Sequence, residues 1–175
     1  MPRPVLAICA DLDVPPEVVA AVQGAVALAF GCEAVVGPTF REPPSALDAS
    51  RGQYLADAIL REVPLPDGAA FSLGLVTPDL FTNGLSFVFG MAFGQRALVS
   101  VYRLAAPDEE GLRGQARFLV RVLTEAVHEV GHLFGLGHCR DRECVMFFSN
   151  TVADTDHKGP RLCQRCRETL KAVKS

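Results

Sequence analysis

Three of the chain's four histidines, His128, His132 and His138, fall in one register inside the run HEVGHLFGLGH. His128 and His132 are four residues apart, so on an α-helix they stand one above the other on one face. Gly135 can adopt the left-handed conformation that ends a helix, turning the chain back so that His138 meets the other two imidazoles. Three neutral imidazoles converging on one point make a zinc site whose fourth position is left for water. Glu129 adjoins the first ligand and is placed to act on that water as a general base, the zinc-peptidase pattern. The plainer alternatives are a surface helix that carries histidines by chance, with Glu129 an ordinary solvated residue. The shared register of three scarce histidines speaks against both.

A second set of metal-ligand residues follows at once. Cys139 and Cys144, then Cys163 and Cys166, form two short-spaced pairs that supply four thiolates for a closed tetrahedral zinc. His138 and Cys139 are neighbours, and successive side chains in extended backbone point opposite ways, so two metals can share this corner without sharing ligands. The second site then holds the His138 segment from behind and ties down a C-terminal stretch too short for its own core. Four unrelated buried thiols, disulfides, or a thioredoxin-type role for Cys163 and Cys166 are the alternatives. The last lacks the strand-to-helix context it needs. Cys9 and Cys32 stand in apolar surroundings and are expected to be buried small hydrophobes.

Composition narrows the setting. A chain of 175 residues, 49% hydrophobic, with mean hydropathy +0.23, is expected to be one globular domain. Residues 1–134 are expected to supply the sheet and helices, and 135–175 a small C-terminal subdomain. The net charge of −3 and pI of about 5.8 give no reason to expect a nucleic-acid partner, and no Lys/Arg run suggests an anionic membrane surface. The first apolar run is short and broken by Asp11 and Asp13, unlike a signal peptide, and no stretch is long enough to span a bilayer. A cytoplasmic setting is expected, where grouped thiols suggest metal.

The elements that must position these residues read as α/β. Val5 to Ala10 is a buried strand. A helix follows from Pro15 and Pro16, carrying Val18, Val19, Val22, Val26 and Phe30 and closed by Gly31. Residues 34–36 are then extended, and the strand-helix-strand unit predicts a parallel pair. A helix is expected over residues 53–60 and a central strand over 71–76. The runs 85–93 and 97–102 flank Gly94 and Gln95, so one of the two should run antiparallel. Asp108 is the expected N-cap of a long helix, with Glu109 and Glu110 at its positive end. Its buried stripe is expected through Leu112, Ala116, Leu119, Leu123, Ala126 or Val127, and Val130.

The antiparallel run, residues 86–93, is expected at a sheet edge, where an extended peptide adds as a further strand. Phe87, Phe89, Met91 and Phe93 should face the core, leaving Ser86, Val88, Gly90 and Ala92 toward the substrate.

The run from His128 to Cys166 resembles the archaemetzincins. That family joins the metzincin histidine triad to a Cys, four residues, a second Cys, a Met one residue beyond, and a distal Cys-x-x-Cys. These elements stand here as His128, Glu129, His132, Gly135, His138, Cys139, Cys144, Met146, Cys163 and Cys166. The match covers less than a quarter of the chain but is specific. It implies a metzincin-like catalytic domain: a mixed twisted sheet with one antiparallel edge strand, a long active-site helix and a zinc-stapled C-terminal subdomain. It further implies a zinc peptidase acting on peptides or proteins, with two zinc ions, one catalytic and one structural. A monomer is expected. Met146 would pack beneath the catalytic zinc as the Met-turn residue. The only tyrosines, Tyr54 and Tyr102, precede the helix. This departs from metzincins with a tyrosine after the Met-turn, and leaves the oxyanion to zinc, backbone amides or an upstream side chain. A non-catalytic zinc-stabilised peptide-binding module remains the competing class, disfavoured by Glu129. A zinc hydrolase of a non-peptide amide or ester would use the same groups.

Overall fold

Apolar strands buried on both faces dictate the centre of the molecule. In the computed structural model, residues 3–109 and 111–173 are described. Strands Val5–Ala10 (β1), Glu33–Val36 (β2), Phe71–Val76 (β5), Gly90–Phe93 (β8) and Arg96–Ser100 (β9) form a sheet in the order β2-β1-β5-β9-β8. All neighbours are parallel except β8, which pairs antiparallel with β9 and forms one edge. Period-2 alternation divides their side chains between two cores. Leu6, Ile8, Leu73, Leu75, Ala97 and Val99 face one, and Ala7, Cys9, Val76 and Leu98 the other.

The first core is covered by two helices. Pro16–Phe30 (α1) ends at Gly31, whose left-handed backbone (φ 56°) donates its N–H to Ala27 O. Gly111–Leu133 (α3) packs beside it, and Phe134 stacks on Phe30 at 4.8 Å, fastening the end of α3 to the end of α1. The opposite core lies under Ala56–Glu62 (α2), through Ile59 and Leu60. Two short helices, Val152–Lys158 (α4) and Gln164–Val173 (α5), complete the chain. Among the described residues, no helix is long and apolar enough to cross a membrane.

Several expectations need correction. A second, four-stranded sheet was not foreseen; it is built from Leu47–Asp48 (β3), Gln53–Leu55 (β4), Leu80–Thr82 (β6) and Leu85–Val88 (β7). Residues 53–55 are therefore strand, because β6 offers β4 a parallel partner, and the helix begins only at Ala56. The long helix begins at Gly111, and Asp108 lies in the preceding turn instead of at an N-cap; Glu110 falls outside the described residues. Leu112 and Ala116 face solvent, Leu119 is half-buried against the first core, and the fully buried stripe starts near Val122.

The run 85–93 is two strands, not one. β7 pairs with β6 in the small sheet and β8 with β9 in the large one. Phe89 lies between them, with its carbonyl accepting from Ser100 N–H at 2.8 Å. The change of sheet shifts the alternation. Phe87 and Ala92 pack toward the first core and Val88 and Met91 toward the second, while Phe93 is 82% exposed.

Candidate active site

The end of α3 follows from its sequence. Leu136 N–H bonds Gly131 O and Gly135 N–H bonds His132 O, the paired bonds of a Schellman motif, with Gly135 at φ 82°. The chain reverses there, and His138 comes back over His128 and His132, with ring centroids 5.3 and 4.9 Å away. One nitrogen from each of the three rings lies within 4.8 Å of the others.

Backbone carbonyls orient two of the rings. His128 Nδ1 is 2.7 Å from Val145 O, and His132 Nδ1 is 2.8 Å from Leu136 O. A carbonyl only accepts, so both Nδ1 atoms donate, and in the neutral rings both Nε2 atoms keep bare lone pairs. Those Nε2 atoms face each other at 3.2 Å, where neither has a proton to share. A cation between them resolves the contact. Two nitrogens about 2.0–2.1 Å from a tetrahedral zinc stand roughly 3.3–3.4 Å apart.

The rings are also held neutral. Burial, then the charge of Lys158, pushes His128 down to about 2. Burial lowers His132 and His138 as well. Met146, fully buried, packs against the bare face of Gly131, which lies between His128 and His132 in the helix. A Cβ there would meet its sulfur at 2.4 Å.

Glu129 is 6% exposed and lies against Gly90 of β8, where an added Cβ would stand 2.9 Å from its Oε1. Burial, then the neighbouring Glu125 carboxylate, holds it well above the usual carboxylate range. A cavity of about 160 Å³ opens beside it, lined by Glu125, His128 and Glu129 of α3, by residues 85–90, and by residues 148–150. Of the residues expected to face substrate, Ser86, Val88 and Gly90 line this cavity. Ala92 does not; it pairs with Ala97 within the large sheet. The Ser86 carbonyl already accepts from Arg51 and Gln53.

Behind His138 the chain pairs back on itself through Cys139 N–H to Met146 O. Cys139 points away from the histidines, as backbone alternation requires. Its sulfur is 3.8 Å from that of Cys163, and Cys144 and Cys166 stand 3.7 Å apart. A disulfide needs about 2.05 Å, whereas two thiolates about 2.3 Å from one tetrahedral zinc are separated by roughly 3.8 Å. All four sulfurs lie within 4.8 Å of one another. For Cys139, burial is outweighed by the Asp141 N–H and the Arg165 guanidinium on its sulfur, bringing it to about 7. Burial pushes Cys144 and Cys166 up. Four such groups ionise together only around a cation.

Sequence reasoning missed the support behind the site. Lys158 of α4 is fully buried, 3.2 Å from Glu125 Oε1 and 3.4 Å from His128 Nδ1, and donates to Phe147 O at 3.0 Å. Thr155 and Ser149 donate to the same Glu125 oxygen. Arg121 clamps α4 onto α3 through both oxygens of Asp156. Glu125 could have been suspected, three and four residues before His128 and Glu129 and hence on their face. Lys158 gave no local signal. His157, the remaining histidine, is exposed.

Residues 45–172 match the model of Peptidase family M54. The chain is 47% identical over 131 residues to the archaemetzincin of Methanopyrus kandleri, covering 73% of this chain and 71% of that one. It is 34% identical over 163 residues to the archaemetzincin of Haloquadratum walsbyi, covering 90% and 94%. The crystal structure of the Methanopyrus kandleri archaemetzincin superposes with a TM-score of 0.87 at 38% identity, covering 98% of this chain and 96% of that one.

Proposed function

The chain belongs to Peptidase family M54, the archaemetzincins, and is a zinc metallopeptidase; from that premise we propose how its residues divide the work. His128, His132 and His138 hold the catalytic zinc. Cys139, Cys144, Cys163 and Cys166 hold a second, structural zinc. The observation that carries this reading is the bare Nε2 pair at 3.2 Å, two lone pairs aimed at one point with both outer nitrogens already committed to carbonyls. Bound there, zinc supplies a Lewis acid that lowers the pKa of a coordinated water to about 7.

Glu129 is the general base. Its carboxylate, one residue from a ligand and beside the cavity, takes a proton from the attacking water and gives it to the departing amine. Gly90 leaves room for that carboxylate against the edge strand. Gly135 sets the reversal that delivers His138, and Met146 supports the triad from beneath through Gly131. The substrate lies extended along residues 85–90, with Ser86, Val88 and Gly90 beside it; Ala92 lies further along β8, outside the cavity. The whole chain works as one catalytic domain in which the thiolate site anchors residues 135–175.

Chelation tests the division of labour. The purified protein should contain two zinc ions per chain. A chelator should strip the open histidine site first, abolishing peptide hydrolysis while the fold persists, and one equivalent of zinc should restore it. Cys163→Ser should instead cost the fold. One zinc per chain with four reactive thiols would overturn the assignment.

A further inference from the structure

Glu125 is a carboxylate with its two oxygens in different circumstances. Oε1 takes its hydrogen bonds, from Thr155 Oγ1 at 2.7 Å and Ser149 Oγ at 3.3 Å, and stands 3.2 Å from Lys158 Nζ. Among the described residues, no hydrogen bond reaches Oε2. Oε2 is also absent from the sealed, unpartnered polar atoms, which are Glu42 Oε1 and Ser72 Oγ. An unpaired atom outside that class keeps some contact with solvent. The residue is 98% buried and lines the cavity beside His128 and Glu129, so the contact comes from the cavity.

We propose that Glu125 is a specificity-determining residue. Its free oxygen accepts a hydrogen bond from an uncharged N–H or O–H donor at the end of the substrate side chain that adjoins the scissile bond and enters this cavity. The inference rests on the peptidase reading above and adds a side-chain class to it.

The chemistry of the cavity sorts the candidates. Its volume, about 160 Å³, is that of a space which elsewhere holds a benzene ring (roughly 150 Å³). A glutamine or tyrosine side chain is of that scale. The walls include Phe87, Val88, Phe89 and Phe148, which suit an apolar stem or ring. An aliphatic tip would displace water from Oε2 and leave a buried acceptor unpaired, a loss of roughly tenfold to a hundredfold. An acidic tip would set acceptor against acceptor. A lysine or arginine tip gains little at Glu125, because Lys158 already balances its charge.

The test uses the zinc-loaded protein with peptide pairs differing only at a position adjoining the cleaved bond: Gln against Leu, Tyr against Phe, and Gln against Lys. Turnover is read as kcat/KM, and binding of the same peptides is read by fluorescence anisotropy on zinc-loaded Glu129→Ala. The wild type should favour Gln over Leu, and Tyr over Phe, by about tenfold or more, and Gln over Lys. Glu125→Leu with Lys158→Met, which removes both charges together, should bring the Gln/Leu and Tyr/Phe ratios toward one, in binding as in kcat/KM. Binding preference without cleavage would sink the peptidase reading and leave this inference standing. Cleavage with wild-type ratios near one, ratios unchanged in the double variant, or no binding of either peptide would overturn it.

Discussion

Gly90→Ala is a one-carbon change whose consequences can be worked out atom by atom. The new Cβ would stand 2.5 Å from Leu98 O, 2.7 Å from Glu129 Cγ and 2.9 Å from Glu129 Oε1. All three are well inside the 3.4 Å at which ordinary contact begins. Leu98 belongs to the paired strand β9, so its carbonyl yields only if β8 parts from β9. The side chain of Glu129 yields more easily, and it leaves its place against Gly90. Overpacking of this kind costs about 1–3 kcal/mol, or a fall in Tm of about 2–12 °C for a chain of this length. Displacing a reacting group by about 1 Å costs up to ~10²-fold in rate. The variant should therefore keep both zincs by elemental analysis, melt lower, and lose roughly tenfold to a hundredfold in kcat/KM on a fluorogenic peptide. Gly137→Ala is the control, since no heavy atom lies within 4 Å of its Cβ and its φ is not positive. Wild-type melting and turnover in Gly90→Ala would refute the placement of Glu129 against the edge strand.

Other perturbations reach other parts of the account. Lys158→Met leaves Glu125 as an uncompensated buried charge and should cost about 3–5 kcal/mol in urea unfolding, most of it recovered in the double variant with Glu125→Leu. Equal losses in the single and double variants would show that the pair is not coupled. His128, His132 and His138 have folded-state pKa values below the unfolded value of about 6.5. The unfolded chain then binds more protons below pH 6.5, so their contribution is full above that pH and is lost as pH falls through the folded values. Glu129 is raised and acts in the opposite sense, so the measurement belongs in Glu129→Gln protein stripped of zinc at the histidine site alone. Its urea midpoint should fall between pH 7 and pH 5, and less steeply when His128 is also replaced by Leu; a flat or rising midpoint would contradict the burial of neutral imidazoles.

The metal residues were legible because their geometry is local. A four-residue helical offset, one glycine at a helix end and two short cysteine spacings bring seven ligand atoms to two points. The apolar runs 5–10 and 71–76 were equally plain as strands, since they are buried on both faces. What sequence hid was decided by distant partners. Gln53–Leu55 is strand because β6 lies beside it, and Leu112 and Ala116 keep helical period but face solvent. The break at Phe89 arises where β7 turns to β6 and β8 stays with β9; Gly90 was its single local trace. Lys158 and Glu125, 33 positions apart, meet because α4 packs on α3, where Arg121 also holds Asp156.

The central claim is that Glu129 does the proton work beside a zinc held by three histidines, and one paired digest addresses it. Wild-type and Glu129→Ala protein, each with its zinc content measured, are incubated with a mixed peptide library and the products scored by mass spectrometry. The account predicts equal zinc in both, cleavage by the wild type, and a rate lower by about 10²–10⁴-fold in the variant. Cleavage by Glu129→Ala at the wild-type rate would contradict it.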